Sequence, residues 1–121
     1  MPLTKILVHS SLFGMAWTLT LEESVVDDLR WFGKKDGRAI LDAAEAILAA
    51  NPLAETSNLK TLRPNPVAQR ELRMFGKVRV LFNVDEEAQT VTIILVGEKR
   101  GNVLIVQGEE FTKHHESDPA E

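Results

Sequence analysis

Hydrophobic residues recur along this chain with two periods, helical in the first half and alternating in the second. Residues 16–20 can form a short strand, after which Thr20-x-x-Glu23 has the spacing of a capping box. Val25, Val26, Leu29 and Phe32 follow at helical spacing, with Glu22, Glu23, Asp27 and Asp28 toward water and Gly33 as the stop. Asp36 is the expected N-cap of a second helix, with an apolar stripe of Ile40, Ala43, Ala44, Ile47 and Leu48 and an end at Asn51-Pro52. So short a link predicts an antiparallel helix hairpin, and the alanines let the second helix approach its support.

Residues 53–69 lose any period, and Arg63-Pro64-Asn65-Pro66 can continue neither a helix nor a central strand, because proline lacks the N–H both require. From Glu71 the period becomes two, which predicts strands over 71–74, 78–84 and 90–96 with Asp85-Glu86-Glu87 as a polar turn. Residues 103–106 make a further short strand, and a polar tail begins at Gly108. The expected division is an extension over 1–15, weakly ordered or packed on a sheet edge, one domain over 16–111, and a disordered tail over 112–121. The fold class is α+β: an N-terminal strand and an antiparallel two-helix hairpin packed on one face of a mainly antiparallel sheet. The other face is left for function or a partner.

The first β-hairpin fixes its own register. A two-residue loop at Gly76-Lys77 would mix core and charge on each face, whereas a three-residue loop, Phe75-Gly76-Lys77, sets Leu72 against Val80 and Met74 against Val78. Arg73 then lies directly across from Arg79 on the opposite face. Like charges so placed repel, by up to ~1 kcal/mol, and a bound anion would relieve them.

Composition limits what such a face can do. A chain of 121 residues with 44% hydrophobic content builds one core, and the absence of cysteine excludes disulfides and thiolate metal sites, in keeping with a cytoplasmic setting. A net charge of -4 argues against a protein that holds nucleic acid over its whole surface. The charge is segregated, however: Lys60, Arg63, Arg70, Arg73, Lys77, Arg79, Lys99 and Arg100 fall together, with Lys99-Arg100 expected just after a turn at Gly97. Gathered on the open face, these cations suit a phosphate backbone or an acidic partner segment; scattered, they are ordinary solvated charges, and the pattern leaves both readings open. No apolar run reaches the ~20 residues that span a bilayer. His114-His115 lack a third ligand, so no metal is expected, and no phosphate-loop or nucleotide-binding motif points to a cofactor.

The stretch ELRMFGKVRVLFNVDEEAQTVTIILVGEKRGN resembles the RelE/ParE toxins of bacterial type II toxin-antitoxin systems, with its L-R strand, Gly-containing turn, second arginine and V-G-x-K-R close. Upstream, a helix with L-R-x-F, an N-P-L break and Asn58-Leu59-Lys60-Thr61-Leu62 agree, so the likeness covers residues 16–111. The resemblance implies a RelE-like domain neutralised by a cognate antitoxin. It also implies one of two targets, messenger RNA cut on the ribosome or DNA gyrase, with a catalytically inactive module that only binds an antitoxin as a third reading. For cleavage it implies Arg79 and Arg100 as phosphate-stabilising catalytic arginines with Arg73 in support, and Lys60, Arg63, Lys77 and Lys99 as RNA contacts. Where RelE-like members carry catalytic lysines this chain has Gln69 and Glu71, and it has no tyrosine.

Overall fold

The computed structural model describes residues 5–9 and 17–111; the tail with His114-His115, and the stretch around Met15, lie outside the described residues. In chain order the elements are β1 (Lys5–His9), β2 (Thr18–Glu22), α1 (Ser24–Trp31), α2 (Lys34–Ala50), β3 (Leu59–Thr61), β4 (Arg70–Met74), β5 (Val78–Asp85), β6 (Thr90–Arg100), β7 (Val103–Val106) and β8 (Glu109–Phe111). The strands form one sheet in the order β1-β2-β6-β5-β4-β3, with β7 on β6 and β8 on β7. β2 and β6 run parallel, and the other pairings among the described residues are antiparallel.

Both helices cover one face. Val25 of α1 and Ile40, Ala44 and Leu48 of α2 join Leu19, Leu72, Val80, Phe82, Val91 and Ile93 in a continuous core, each large side chain contributing about 1.5–3 kcal/mol by its removal from water. The stripe of α2 is narrower than the sequence suggests, because Gly37 lies buried on it while Ile47 is exposed. A methyl group on Gly37 would sit 2.5 Å from the Leu29 carbonyl oxygen, so a glycine is what lets α2 meet α1.

Several expected boundaries move. Thr20 caps no helix: it lies inside β2, opposite Thr92 in the parallel ladder, and its hydroxyl is 3.1 Å from that of Thr92. Glu23 is the N-cap of α1 instead, and Gly33, at φ 96°, is that of α2 in place of Asp36, which falls in the first turn. The expected turn at Gly97 is absent. β6 continues through it to Arg100, and β7 passes so close that a Cβ on Gly97 would lie 2.7 Å from the Ile105 carbonyl oxygen. What read as the start of the polar tail turns at Gln107-Gly108, both at positive φ, into β8. Within the stretch expected to be extension, β1 adds an edge strand on β2, with Leu7 60% exposed.

The largest departure is Asp28, expected in water and found only 4% exposed. One edge of β6 is paired by β2 as far as Leu21↔Ile93 and by β7 only from Glu98↔Ile105 onward. α1 fills the gap between them. The Asp28 carboxylate accepts the Val96 backbone N–H at 3.0 Å and the Gln107 side-chain amide at 2.7 Å, replacing a missing strand. Loss of solvent raises the Asp28 pKa above the ordinary carboxylate value, against the lowering effect of those two hydrogen bonds.

Candidate functional site

The face of the sheet away from the helices is built around the β4–β5 hairpin. The observed register is Arg73↔Arg79 and Met74↔Val78, so the loop is Phe75-Gly76-Lys77 and the two arginines are opposed as the apolar pattern requires. Phe75 at φ 51° and Gly76 at φ 75° make the reversal, and the Lys77 N–H closes on the Phe75 carbonyl at 2.8 Å.

The third cation of this face comes from β6. Lys99 pairs with Leu104 of β7, and Leu104 packs with Leu81 and Leu95 on the helix-free side, so residues directly opposite share that side. Lys99 is tied to the hairpin through its N–H, which donates to the Lys77 carbonyl at 2.8 Å. Arg100, one residue on, alternates to the side of Glu98, whose carboxylate takes its guanidinium at 2.8 Å. Arg79 and Arg100 are therefore not brought together. Arg73, Arg79 and Lys99 are.

The charges of these three are not equally available. Arg73 is ion-paired with Glu71 on its own strand at 3.1 Å, and the Glu71 side chain is 11% exposed. Glu71 is thus no solvated edge residue: β4 lies between β3 and β5, and Glu71 faces Lys60 on one side and Leu81 on the other. It supplies part of the anion that two facing arginines demand. The Arg79 guanidinium donates to the Gly76 and Val78 carbonyls, both at 3.0 Å, and has no carboxylate partner among the described residues. Those bonds hold it against the hairpin with its charge uncompensated.

The remaining expected cations divide. Lys60 is adjacent, opposite Glu71, and Lys77 is exposed in the hairpin loop. Arg63 is elsewhere. It belongs to the proline loop, which Asn65 folds by accepting the Val67 and Ala68 amides and donating to the Arg63 and Ala68 carbonyls. That loop is pinned to the far end of β5 twice: the Gln69 N–H donates to the Asn83 side-chain oxygen at 2.7 Å, and the Val84 N–H donates to the Gln69 side-chain oxygen at 2.8 Å. Asn83 is four residues from Arg79, about 13 Å along a strand. Arg63 instead borders a 360 Å³ groove of the loop itself. Between the two ends the face is apolar: Leu81 and Leu95 are buried under Leu62, Val67, Leu104, Val106 and Phe111.

Arg70, one of the cations that the sequence groups together, does not join this face and is structural. Its side chain, 7% exposed, binds Glu55 at 2.8 Å, the Thr61 hydroxyl at 3.0 Å and the Ala54 carbonyl, anchoring the chain that leaves α2. The Thr61 hydroxyl, and then Arg70, hold the Glu55 carboxyl below its usual pKa.

No protein-family model matches this chain, and no protein of curated function does. Among solved structures, a chain of the toxin-antitoxin complex RelBE2 from Mycobacterium tuberculosis is similar at a TM-score of 0.60 and 24% identity, over 71% of this chain and 94% of that one. The two chains share a fold. In this RelBE2-like fold the cationic end of the β4–β5 hairpin is the chemically distinctive place: two strand arginines and a lysine on one face, one carboxylate among them, and a buried apolar floor beside them. Such a set can hold a phosphodiester and stabilise added negative charge on it. The described residues contain no group of three or more His, Asp or Glu arranged to hold a metal ion. No helix among them is long and apolar enough to cross a membrane.

Proposed function

We propose that this protein is the toxin of a type II toxin-antitoxin pair in a bacterial cytoplasm and acts on messenger RNA at the ribosome through Arg73, Arg79 and Lys99. The observation that carries the reading is the uncompensated Arg79 opposite Arg73, with Lys99 on the same face. The RelBE2-like fold supports it. In this reading Lys99 takes the place of Arg100 beside Arg79, a choice supported by the alternation of β6, which puts Lys99 on the side of Leu104 and Arg100 on the other, with Glu98. Glu71, the carboxylate ion-paired with Arg73, is the candidate base for the ribose hydroxyl, and Arg73 holds it in place. A cognate antitoxin with an acidic, amphipathic segment fits the groove lined by Ile6, Val8, Leu21, Leu29 and Leu41, with Lys34 and Arg38 at its rim.

A second reading, a toxin that binds DNA gyrase without chemistry, is favoured by the absence of tyrosine and by the neutralisation of Arg73 by Glu71. Induced expression separates the two. Messenger cleavage stops amino-acid incorporation at once and leaves plasmid supercoiling intact; gyrase inhibition does the reverse. For cleavage, Arg79→Ala and Lys99→Ala each lower the rate about 100-fold, the usual cost of one transition-state donor, whereas Arg100→Ala stays near wild type. Full activity of the Arg79→Ala, Lys99→Ala double variant sinks the assignment.

A further inference from the structure

The hairpin turn needs the backbone of Phe75, but neither folding nor packing accounts for an aromatic side chain there. Phe75 sits at φ 51°, a left-handed conformation that glycine and asparagine adopt easily and that an aromatic residue rarely does. Its ring is also 61% exposed, so it gains little from burial in return. Backbone held in a sparsely populated region, bearing a side chain the core does not use, points to a task for that side chain.

The surroundings say which task. Phe75 lies in the loop that joins the two strands bearing Arg73 and Arg79, with Lys77 two residues on and Lys99 hydrogen-bonded to the Lys77 carbonyl. An exposed aromatic ring bordered by cations is what single-stranded nucleic acid requires: charge along the backbone and a flat apolar surface for a base that has left its stack. A protein partner would also use the ring, but a contact built for apolar burial is poorly served by a surround of cations that includes the uncompensated Arg79.

We infer that Phe75 is a stacking platform for one unpaired nucleobase of an RNA strand whose phosphates lie on Arg79 and Lys99. The inference rests on the RNA reading proposed above, and it adds a base-binding position to a face otherwise made for phosphates.

The test compares the purified protein's affinity for a short oligoribonucleotide with its affinity for an abasic sugar-phosphate strand of the same length. Stacking of one base predicts that the base-bearing strand binds roughly 5- to 150-fold more tightly. Phe75→Asn removes that preference and leaves the abasic affinity unchanged; Phe75→Trp keeps it. Because asparagine accepts the left-handed backbone, the Phe75→Asn variant melts at or above the wild-type Tm, so its loss of binding is not unfolding. Equal wild-type affinity for the two strands, or a Phe75→Asn variant that still prefers bases, overturns the stacking role while leaving the phosphate site standing. Binding of neither strand overturns both, and the ring is then a protein contact.

Discussion

Removing the Asp28 carboxylate should unfasten α1 from the sheet. In Asp28→Ala the Val96 N–H is left without an acceptor in the stretch of β6 between β2 and β7, and the Gln107 amide loses its partner at the turn into β8. An orphaned buried donor costs about 1–3 kcal/mol, and the second bond, also to a charged group, adds to this, giving about 3 kcal/mol. That is a large share of the ~5–15 kcal/mol that holds a domain of this size together. Asp28→Asn separates the hydrogen bonds from the charge: its carbonyl still accepts the Val96 N–H, and the amide of Gln107 can turn to match it. Burial raises the folded pKa of Asp28 above its unfolded value near 3.8. The part of its contribution linked to ionisation is therefore fully present below pH 3.8 and is lost as pH rises through the folded pKa. Urea unfolding at a series of pH values checks this. Asp28→Asn should match or exceed wild type at pH 7, and wild type should gain on it steadily as the solution is acidified toward pH 4. A cost below ~0.5 kcal/mol for Asp28→Ala, typical of a surface change, or a wild-type to Asp28→Asn difference flat with pH, would refute the account of Asp28 as a substitute strand.

Two further consequences concern packing and the loop anchor. Gly97→Ala places a methyl group 2.7 Å from the Ile105 carbonyl oxygen and should destabilise by about 2 kcal/mol, with faster amide exchange in β7 as the local sign. Arg70→Ala removes the hydrogen bonds to Thr61 and Ala54 and should cost about 2 kcal/mol. In the same variant the depressed Glu55 pKa should move back toward 4.5, seen by NMR titration. In wild type, the stability that Glu55 contributes is present above pH 4.5 and is lost as pH falls through its lowered folded value.

Local pattern determined much of this protein. The α2 stripe through Ile40, Ala44 and Leu48, the β4–β5 register and the opposition of Arg73 to Arg79 were all legible. Each follows from which side of a helix or strand a neighbour must occupy, and that depends only on spacing. Other features needed elements far apart in the chain. Asp28 reads as a surface acid of an amphipathic helix until β2 and β7 are seen to leave Val96 unpaired, 68 residues away. Thr20 reads as a cap until β6 arrives beside it in parallel. Gly97 reads as a turn until β7 crosses it. The division of cations was hidden for a similar reason. In the run Ile93-Ile94-Leu95-Val96 every residue is apolar, so no alternation marks the faces, and a bulge shifts the register between Leu81↔Leu95 and Phe82↔Ile93. That one extra residue decides that Lys99, and not Arg100, joins Arg73 and Arg79. Side-chain spacing is a local property, whereas the partners of a strand edge, and the bulge that resets its faces, are set only when distant segments meet.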